Sequence, residues 1–248
     1  MPAPTIIVVP CYNEEARLDV ATFEAFSVAH PAIDFLLVDD GSTDRTLEVL
    51  RGLEARGDRF SAFPLERNSG KAEAVRRGML EAFRRGPAQA GFWDADLATP
   101  LDTIPDFIER LEREPHLDMV FGSRVKLLGR AIERRLLRHY LGRVFATVAS
   151  NVLDLAIYDT QCGAKLFRNR SDVVALFEEP FITNWIFDVE ILARFRNARR
   201  ANGGAPPREV IHEMPLAVWR DVAGSKVKSA DFVKAIGEML RIRLKYGG

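Results

Sequence analysis

The 248-residue chain is poor in cysteine and lysine and has no long apolar run. Its 2 cysteines, Cys11 and Cys162, are too few for a disulfide framework or a four-cysteine zinc site, and they are typical of a reducing, cytoplasmic environment. No stretch of about 18 apolar residues occurs, and no basic leader precedes the apolar run at 6–10, so neither a membrane span nor a signal peptide is predicted. The formal net charge of zero disfavours a generally basic nucleic-acid-binding protein.

Common nucleotide-binding signatures are also missing. Gly70 and Lys71 look like the end of a phosphate-binding loop, but Leu65 stands where that loop needs its first glycine, and Ala72 stands where it needs Ser or Thr. A Gly-x-Gly-x-x-Gly sequence is absent as well, which disfavours a dinucleotide-binding fold. The 4 histidines lie outside the polar clusters described below, so a histidine-based metal or hydrolase site is not predicted.

What the sequence does contain is a regular alternation of strand and helix patterns. Strands are predicted at 5–9, 35–38, 60–65, 91–93 and 118–121, with helices at 14–29, 43–56, 68–85 and 101–114. Short connections between such elements imply right-handed crossovers, and hence an α/β fold with a mainly parallel sheet and helices on both faces. Further on, helices are predicted at 126–155, 171–177, 187–199 and 229–245, and strands at 164–168 and 210–219.

Carboxylates follow two of the predicted strands. Asp39 and Asp40 end one strand, and Asp94 and Asp96 end another. Residues two apart on a strand point to one side, so Asp94 and Asp96 are placed to converge on a hard divalent cation such as Mg²⁺ or Mn²⁺, with water and phosphate oxygens completing its shell. The alternative is that these aspartates form turns or cap helices.

The polar clusters belong to a set of motifs that together resemble a known family. The motifs are Val9-Pro-Cys-Tyr-Asn-Glu-Glu15, Val38-Asp-Asp-Gly-Ser-Thr-Asp44, Asn68-Ser-Gly-Lys71, Asp94-Ala-Asp96, Gly122-Ser-Arg124, Asp159-Thr-Gln-Cys-Gly163, Lys165-Leu-Phe167, Trp185-Ile-Phe-Asp-Val-Glu190 and Gly224-Ser-Lys226. From about residue 5 to 245 the chain resembles family 2 glycosyltransferases, and within them those that move glucose or mannose to dolichyl or other polyprenyl phosphates. The resemblance implies a single Rossmann-like GT-A domain, in which residues 1–122 bind the nucleotide sugar and residues 123–248 bind the acceptor.

The resemblance also implies which residues bind the donor. They are Pro10, Tyr12, Glu14, Asp39, Asp40, Lys71, Asp94 and Asp96. Among them, Glu14 is expected near the ribose, Asp39 or Asp40 is expected to accept a hydrogen bond from the base, and Asp94 and Asp96 are the expected metal ligands. Ala98 stands where mannosyl members often place a glutamine ligand, which favours UDP-glucose over GDP-mannose as the donor.

The second half concentrates positive charge. Between Arg124 and Arg143 seven basic residues face a single acid, Glu133. Such a segment suits an anionic membrane surface, although a solvated charged helix has the same composition. By resemblance, Arg138 is expected against the lipid phosphate with Arg124 beside it. Gly224 and Ser225 before Lys226 suggest a mobile lid over the pyrophosphate.

The acceptor decides the expected chemistry. A lipid monophosphate is largely dianionic at neutral pH and needs no base, so Arg124, Arg138 and the metal would neutralise both substrates for one inverting displacement. A hydroxyl acceptor would need a base, for which Asp188 is the candidate. Asp159 and Gln161 are candidates for binding sugar hydroxyls, with turn formation as the alternative. A nucleotide-sugar-binding protein without turnover, for which Ala98 is the hint, and a nucleotidyltransferase are the rival functions.

Overall fold

The computed structural model describes residues 4–132, 136–221 and 229–247, and in the helices that begin at 136 and 229 it describes side chains from 142 and 234 onward. The strands are β1 (Thr5–Cys11), β2 (Ile33–Asp39), β3 (Phe60–Pro64), β4 (Gln89–Trp93), β5 (Met119–Ser123), β6 (Ala131–Ile132), β7 (Ala164–Arg168), β8 (Ile211–Pro215) and β9 (Val218–Trp219). The α-helices are α1 (Val20–Ala29), α2 (Thr46–Glu54), α3 (Lys71–Arg84), α4 (Ile104–Arg113), α5 (Leu136–Leu153), α6 (Ser171–Glu178), α7 (Phe187–Asn202), α8 (Pro207–Val210) and α9 (Ser229–Tyr246).

The chain forms two compact units, and the first comprises the described residues up to Leu97 together with Ala164–Pro180. Its strands lie in the order β3-β2-β1-β4-β7, all parallel except β7, which runs antiparallel to β4. β1 is central and apolar, and four of its residues from Ile6 to Val9 are buried, as expected for a strand covered on both faces. Cys11 pairs with Asp39, so β1 and β2 end side by side.

The second unit comprises Ala98–Gly163 and the described residues from Phe181 onward. In it, β5 and β8 are parallel neighbours, and β6 and β9 form a separate two-residue parallel pair. Helix α7 is buried along most of its length and packs against both α5 and α9. Among the described helices, none has the length and apolar character needed to cross a bilayer.

The predicted α/β class with a mainly parallel sheet is confirmed. The assignment of donor binding to 1–122 and acceptor binding to 123–248 stays a prediction, since the compact units divide the chain at other positions and by contacts rather than by function.

Three predicted elements were wrong in extent. The helix expected from residue 14 begins at Val20, because the Asp19 carboxylate caps it by accepting the Thr22 N–H at 3.1 Å. The long helix expected at 126–155 covers only Leu136–Leu153, because residues 131 and 132 form β6, whose Ala131 N–H bonds to the Ala217 carbonyl. The single strand expected at 210–219 is two strands, β8 and β9, which belong to different sheets.

Gly91 provides a test of how closely β4 and β7 approach. A Cβ atom at this position would lie 2.2 Å from the backbone oxygen of Lys165 on β7. We expect Gly91→Ala to lower the free energy of unfolding by about 2 kcal/mol, because backbone atoms cannot move aside as side chains can. The matched control is Gly52→Ala in α2, where a Cβ meets nothing within 4 Å and should stabilise the helix by up to about 1 kcal/mol. Chemical denaturation of both variants measures the difference, and equal effects would contradict the close approach.

Candidate active site

The predicted donor-binding residues of the first unit lie together at one edge of its sheet. Pro10 and Tyr12 are at the end of β1, Asp39 and Asp40 at the end of β2, and Asp94 one residue past β4. These strands are parallel, so their carboxyl ends meet at the same edge, which is where ligands bind in open α/β sheets. The structure therefore brings the sequence-predicted donor residues of this unit together.

Hydrogen bonds fasten the loop after β1 to the loop after β2. Asn13 has a left-handed backbone, with φ of 51°, and its side-chain oxygen accepts the Thr43 N–H at 2.9 Å. In return, Ser42 Oγ accepts the Asn13 N–H at 3.0 Å, and Thr46 Oγ1 accepts the Glu14 N–H at 2.8 Å. Ser42 and Thr43 therefore join the two loops instead of capping α2. Glu14 is buried, and its carboxylate lies 3.5 Å from Arg17 Nε.

Asp39 and Asp40 are both buried but have different partners. The two oxygens of Asp40 accept the Ser69 and Gly70 N–H groups, each at 2.8 Å, so Asp40 anchors the loop that precedes α3. Burial raises the pKa of Asp40 above its ordinary value, and the two N–H bonds offset part of that effect. Asp39 receives only longer bonds of 3.3 and 3.4 Å from the Ser42 N–H. Of the two candidates for hydrogen bonding to a base, Asp39 is the better placed.

Gly41 lets the loop after β3 approach the end of β2 closely. Its φ is 62°, and a Cβ atom there would lie 2.4 Å from the carbonyl carbon of Arg67. Only glycine permits both this left-handed conformation and this approach, which brings the loop after β3 next to the end of β2.

The acidic motif after β4 is paired with a lysine. Lys71 Nζ, at the start of α3, lies 2.5 Å from Asp94 Oδ1. Leu97, just after the motif, has a left-handed φ of 52°, a conformation that costs energy in a residue with a side chain and often marks a functional turn. Asp94 and Asp96 are both partly exposed. β4 ends at Trp93, so Asp94 and Asp96 lie in the turn after the strand and not on the strand as predicted. Two hard oxygen donors in one turn fit a Mg²⁺ or Mn²⁺ ion that takes its other ligands from water and phosphate, although the described residues contain no cluster of three or more ligands.

In the second unit, Arg124 is clamped by Asp159. The guanidinium donates to both carboxylate oxygens, Nε to Oδ2 at 2.6 Å and Nη2 to Oδ1 at 2.8 Å, and the Arg124 backbone N–H adds a third bond. The same guanidinium lies 5.3 Å from the centre of the Trp219 ring. Such a fork fixes the direction of the guanidinium plane. Asp159, proposed from sequence as a sugar-binding residue, is thus a partner of Arg124 in this structure.

Residues next to this ion pair in the sequence have buried polar atoms. Among the described residues, Ser123 Oγ, Thr160 Oγ1 and Gln161 Nε2 are buried without a hydrogen-bond partner. Buried polar groups are normally satisfied, so these atoms mark a place suited to a polar ligand. Gln161 is one of the sequence candidates for the acceptor or sugar site.

Glu213 is a functional candidate that no sequence motif marks. Its carboxylate on β8 accepts the Tyr158 and Asp159 N–H groups at 2.8 and 2.9 Å, so it holds the loop that presents Asp159 to Arg124. Burial raises the pKa of Glu213 above its ordinary value. The only signal in the sequence is an acidic residue inside a predicted strand. The alternation of apolar and polar residues in that strand predicts that this side chain faces solvent.

Asp188 occupies the second position of α7 and is buried. The chain that leads into this helix is held by two other buried carboxylates. Glu190 accepts the Ile182 and Thr183 N–H groups at 2.9 and 3.0 Å. Glu238 of α9 accepts three more N–H groups, from 184, 185 and 186, each at 3.1 Å. The backbone around Asp188 is therefore fixed from both α7 and α9.

Two of the predicted site residues lie partly or wholly outside the described residues, and the two cysteines are buried. Arg138 belongs to helix α5, and the structure describes its backbone but not its side chain. Lys226, with Gly224 and Ser225, lies outside the described residues. Cys11 and Cys162 are buried, and burial strongly raises the pKa of Cys11, which fits a packing role and not a nucleophile.

Comparisons with known proteins place the geometry in context. The family model described as Glycosyl transferase family 2 matches residues 6–173. A dolichyl-phosphate beta-glucosyltransferase of Saccharomyces cerevisiae is 30% identical over 97% of this chain and 74% of its own length. The protein of that name from Homo sapiens is 32% identical over 97% of this chain and 75% of its own length.

Solved structures agree on the fold. A glucosyl-3-phosphoglycerate synthase from Mycobacterium tuberculosis, in complex with Mn²⁺, UDP-glucose and phosphoglyceric acid, superposes with a TM-score of 0.69 at 17% identity, covering 97% of this chain and 80% of that one. A mannosyl-3-phosphoglycerate synthase from Rubrobacter xylanophilus gives a TM-score of 0.65 at 12% identity, covering 98% of this chain and 74% of that one. The likeness confirms the predicted GT-A type of fold.

Glu213→Ala tests whether that carboxylate holds the loop at Asp159. The change leaves two N–H groups without their acceptor, and we expect the free energy of unfolding to fall by about 2 kcal/mol. The control is Glu209→Ala, an exposed carboxylate 3.8 Å from the exposed Arg208, which should change stability by less than about 0.5 kcal/mol. Urea denaturation compares them, and a similar small loss in both would reject the anchoring role.

The raised pKa of Glu213 also predicts a dependence on pH. The folded protein holds this proton to a higher pH than the unfolded chain does, so the contribution to stability is present at low pH and is lost as pH rises through the folded pKa. We expect wild type to lose stability relative to Glu213→Gln as pH rises from about 4. Denaturation midpoints over a pH series measure this difference in stability. If the Glu213 carboxyl were exposed, the difference should not change with pH.

Proposed function

Because the chain belongs to glycosyl transferase family 2, we propose that this glycosyltransferase moves glucose from UDP-glucose to dolichyl or another polyprenyl phosphate. One observation carries the proposal: relatives named dolichyl-phosphate beta-glucosyltransferase match almost the whole chain, including the part beyond the family model. The acidic edge of the first unit and the arginine-containing loop of the second agree with two anionic substrates.

The donor would bind at the edge formed by the ends of β1, β2 and β4. Asp39 would accept a hydrogen bond from the uracil, since the oxygens of Asp40 are already occupied by Ser69 and Gly70. Pro10 and Tyr12 would line the nucleotide pocket, and Glu14 would lie near the ribose. Lys71, held at Asp94, would bring a positive charge close to the diphosphate.

Asp94 and Asp96 would hold a divalent cation, Mg²⁺ or Mn²⁺. When bound, such an ion supplies positive charge that favours departure of the diphosphate. The complex of the structural neighbour with Mn²⁺ and UDP-glucose supports this assignment. Ala98 stands where mannosyl members of the family often have a glutamine ligand, so this chain would bind the ion through two carboxylates only. That difference favours UDP-glucose over GDP-mannose as the donor.

On the acceptor side, Arg124 would face the lipid phosphate while Asp159 fixes its orientation. Arg138 would add a second positive charge, Lys226 would cover the diphosphate, and the buried Gln161 amide would donate to a sugar or phosphate oxygen. A preset guanidinium stabilises developing charge without reorganising at the moment of reaction.

The reaction would be a single inverting displacement. An oxygen of the lipid phosphate forms a bond to the anomeric carbon of glucose, and the bond from that carbon to the UDP oxygen breaks with both electrons going to UDP. The lipid phosphate is already largely deprotonated at neutral pH, so no base is required. Asp188, buried at the start of α7, would then orient the sugar or an arginine.

A radiolabel transfer assay tests the proposal. UDP-[¹⁴C]glucose is offered with polyprenyl phosphate in detergent and Mn²⁺, and label should move to the organic phase. Label that enters only water-soluble product, when a hydroxyl or phosphoglycerate acceptor is added, would overturn the lipid acceptor. In that event Asp188→Asn should abolish transfer, because a hydroxyl acceptor needs a base.

The acidic motif has its own test. We expect Asp96→Asn to lower kcat at least about a hundredfold, because one of two hard ligands loses its charge. The control is Asp102→Asn, an exposed aspartate in the 3₁₀ turn Leu101–Thr103, which should keep wild-type activity. Wild-type transfer by the Asp96 variant would reject the metal-binding role of Asp96. UDP binding without any donor consumption by wild type would favour a nucleotide-sugar-binding protein without turnover.

The donor is tested by thermal shift with Mn²⁺ present. UDP and UDP-glucose should raise Tm, since ligands that bind only the folded state stabilise it. Stabilisation by GDP-mannose alone would reverse the choice of donor.

A further inference from the structure

The outer face of helix α9 carries an exposed apolar stripe. Ile236, Leu240 and Leu244 are exposed by 64%, 56% and 86%, whereas large apolar side chains of this kind are usually buried. Their spacing of four residues places them in one row along the helix. The row is therefore a continuous surface rather than three scattered residues.

The inner face of α9 is already occupied, so the stripe cannot turn inward. Ala235, Met239 and Ile242 are buried on that side, and α9 packs against α7. Glu238 is also buried and accepts the three backbone N–H groups at 184, 185 and 186. The rotation of the helix is set by these contacts, and they keep the stripe exposed.

Positive charge borders the stripe. Successive residues of a helix are about 100° apart, which puts Arg243 beside Ile236 on one flank and Arg241 beside Leu244 on the other. Lys245 is exposed further round. From 234 to 246, the part of α9 whose side chains are described, the one acidic residue is Glu238, which faces inward. The exposed surface is apolar along its middle and cationic at its edges.

We propose that this face of α9 docks the protein on an anionic phospholipid surface, with the helix lying in the plane of the membrane. Leucine and isoleucine side chains would enter the boundary of the acyl chains while Arg241 and Arg243 contact the phosphate headgroups, as in interfacial amphipathic helices. The inference rests on the proposed function in one respect, that a lipid-linked acceptor gives the enzyme a reason to work at a membrane.

A neighbouring helix adds to the same unit a second exposed apolar pair. Val144 and Val148 of α5 are exposed by 63% and 44%, and α5 packs against α9. A bilayer, unlike the groove of a protein partner, accepts such a surface without matched side chains. The cationic flanks select an anionic surface over a neutral one, because each cation near anionic lipid adds about 1 kcal/mol.

Vesicle flotation of the full chain tests the proposal. The vesicles are phosphatidylcholine alone or mixed with phosphatidylglycerol, and they contain neither polyprenyl phosphate nor nucleotide sugar. We expect wild type to float with the mixed vesicles and to dissociate as salt increases. Leu240→Gln with Leu244→Gln should weaken binding at least about tenfold, and Arg241→Gln with Arg243→Gln should weaken it and flatten its salt dependence.

The matched control is Val28→Gln, an exposed apolar residue at 82% on α1 of the other unit, which should bind like wild type. Thermal unfolding checks each fold, and Leu244→Gln alone replaces the double variant if that one is destabilised. Wild type that stays below the vesicles overturns the proposal, as does equal loss in Val28→Gln. A dimer in sedimentation equilibrium that Leu240→Gln with Leu244→Gln dissociates, without vesicle binding, assigns the stripe to a second copy instead.

The vesicle result is separate from the proposed function. Wild type that floats but transfers no glucose would reject the proposed function and keep the docking surface. Wild type that transfers glucose in detergent but does not float would keep the proposed function and reject the docking surface.

Discussion

A carboxylate removed from water must be matched by donors, and in this protein the donors are backbone N–H groups of loops. Asp40, Glu190, Glu213 and Glu238 each accept two or three of them. Each is buried or partly buried on a strand end, strand or helix, so the rigid elements fix segments that would otherwise lack regular hydrogen bonds. The loop that carries Asp159 and the segment that leads to Asp188 are positioned by these anchors.

The anchors divide the acidic residues into two kinds. Those that hold loops have their oxygens directed at the backbone, as in Asp40 and Glu213. Those at the proposed chemical positions, Asp94 and Asp96, lie at the partly exposed edge, where Lys71 is the near counter-charge of Asp94. The neutral total of the chain conceals this arrangement, because some of the arginines are paired with buried carboxylates, as Arg124 is with Asp159.

Much of this was readable from sequence, because strands buried on both faces have a strong apolar signature and their polar ends follow directly. The α/β class, most elements and the cluster at β1, β2 and β4 were predicted on that basis. The break at Ala131 was not, since a two-residue strand depends on its partner Val218 and leaves no local pattern. Glu213 escaped for a similar reason: its role is defined by a loop far away in sequence. The choice between Asp39 and Asp40 likewise required seeing which one binds the backbone.

The interleaving of the two units imposes an order on synthesis. The first unit is completed by β7, which the ribosome makes only after all of 98–163. The edge of β4 that pairs with β7 is therefore unpaired while about half of the second unit is synthesised. Unpaired strand edges are open to wrong partners during that interval. The same connectivity means that no single cut releases a complete first unit.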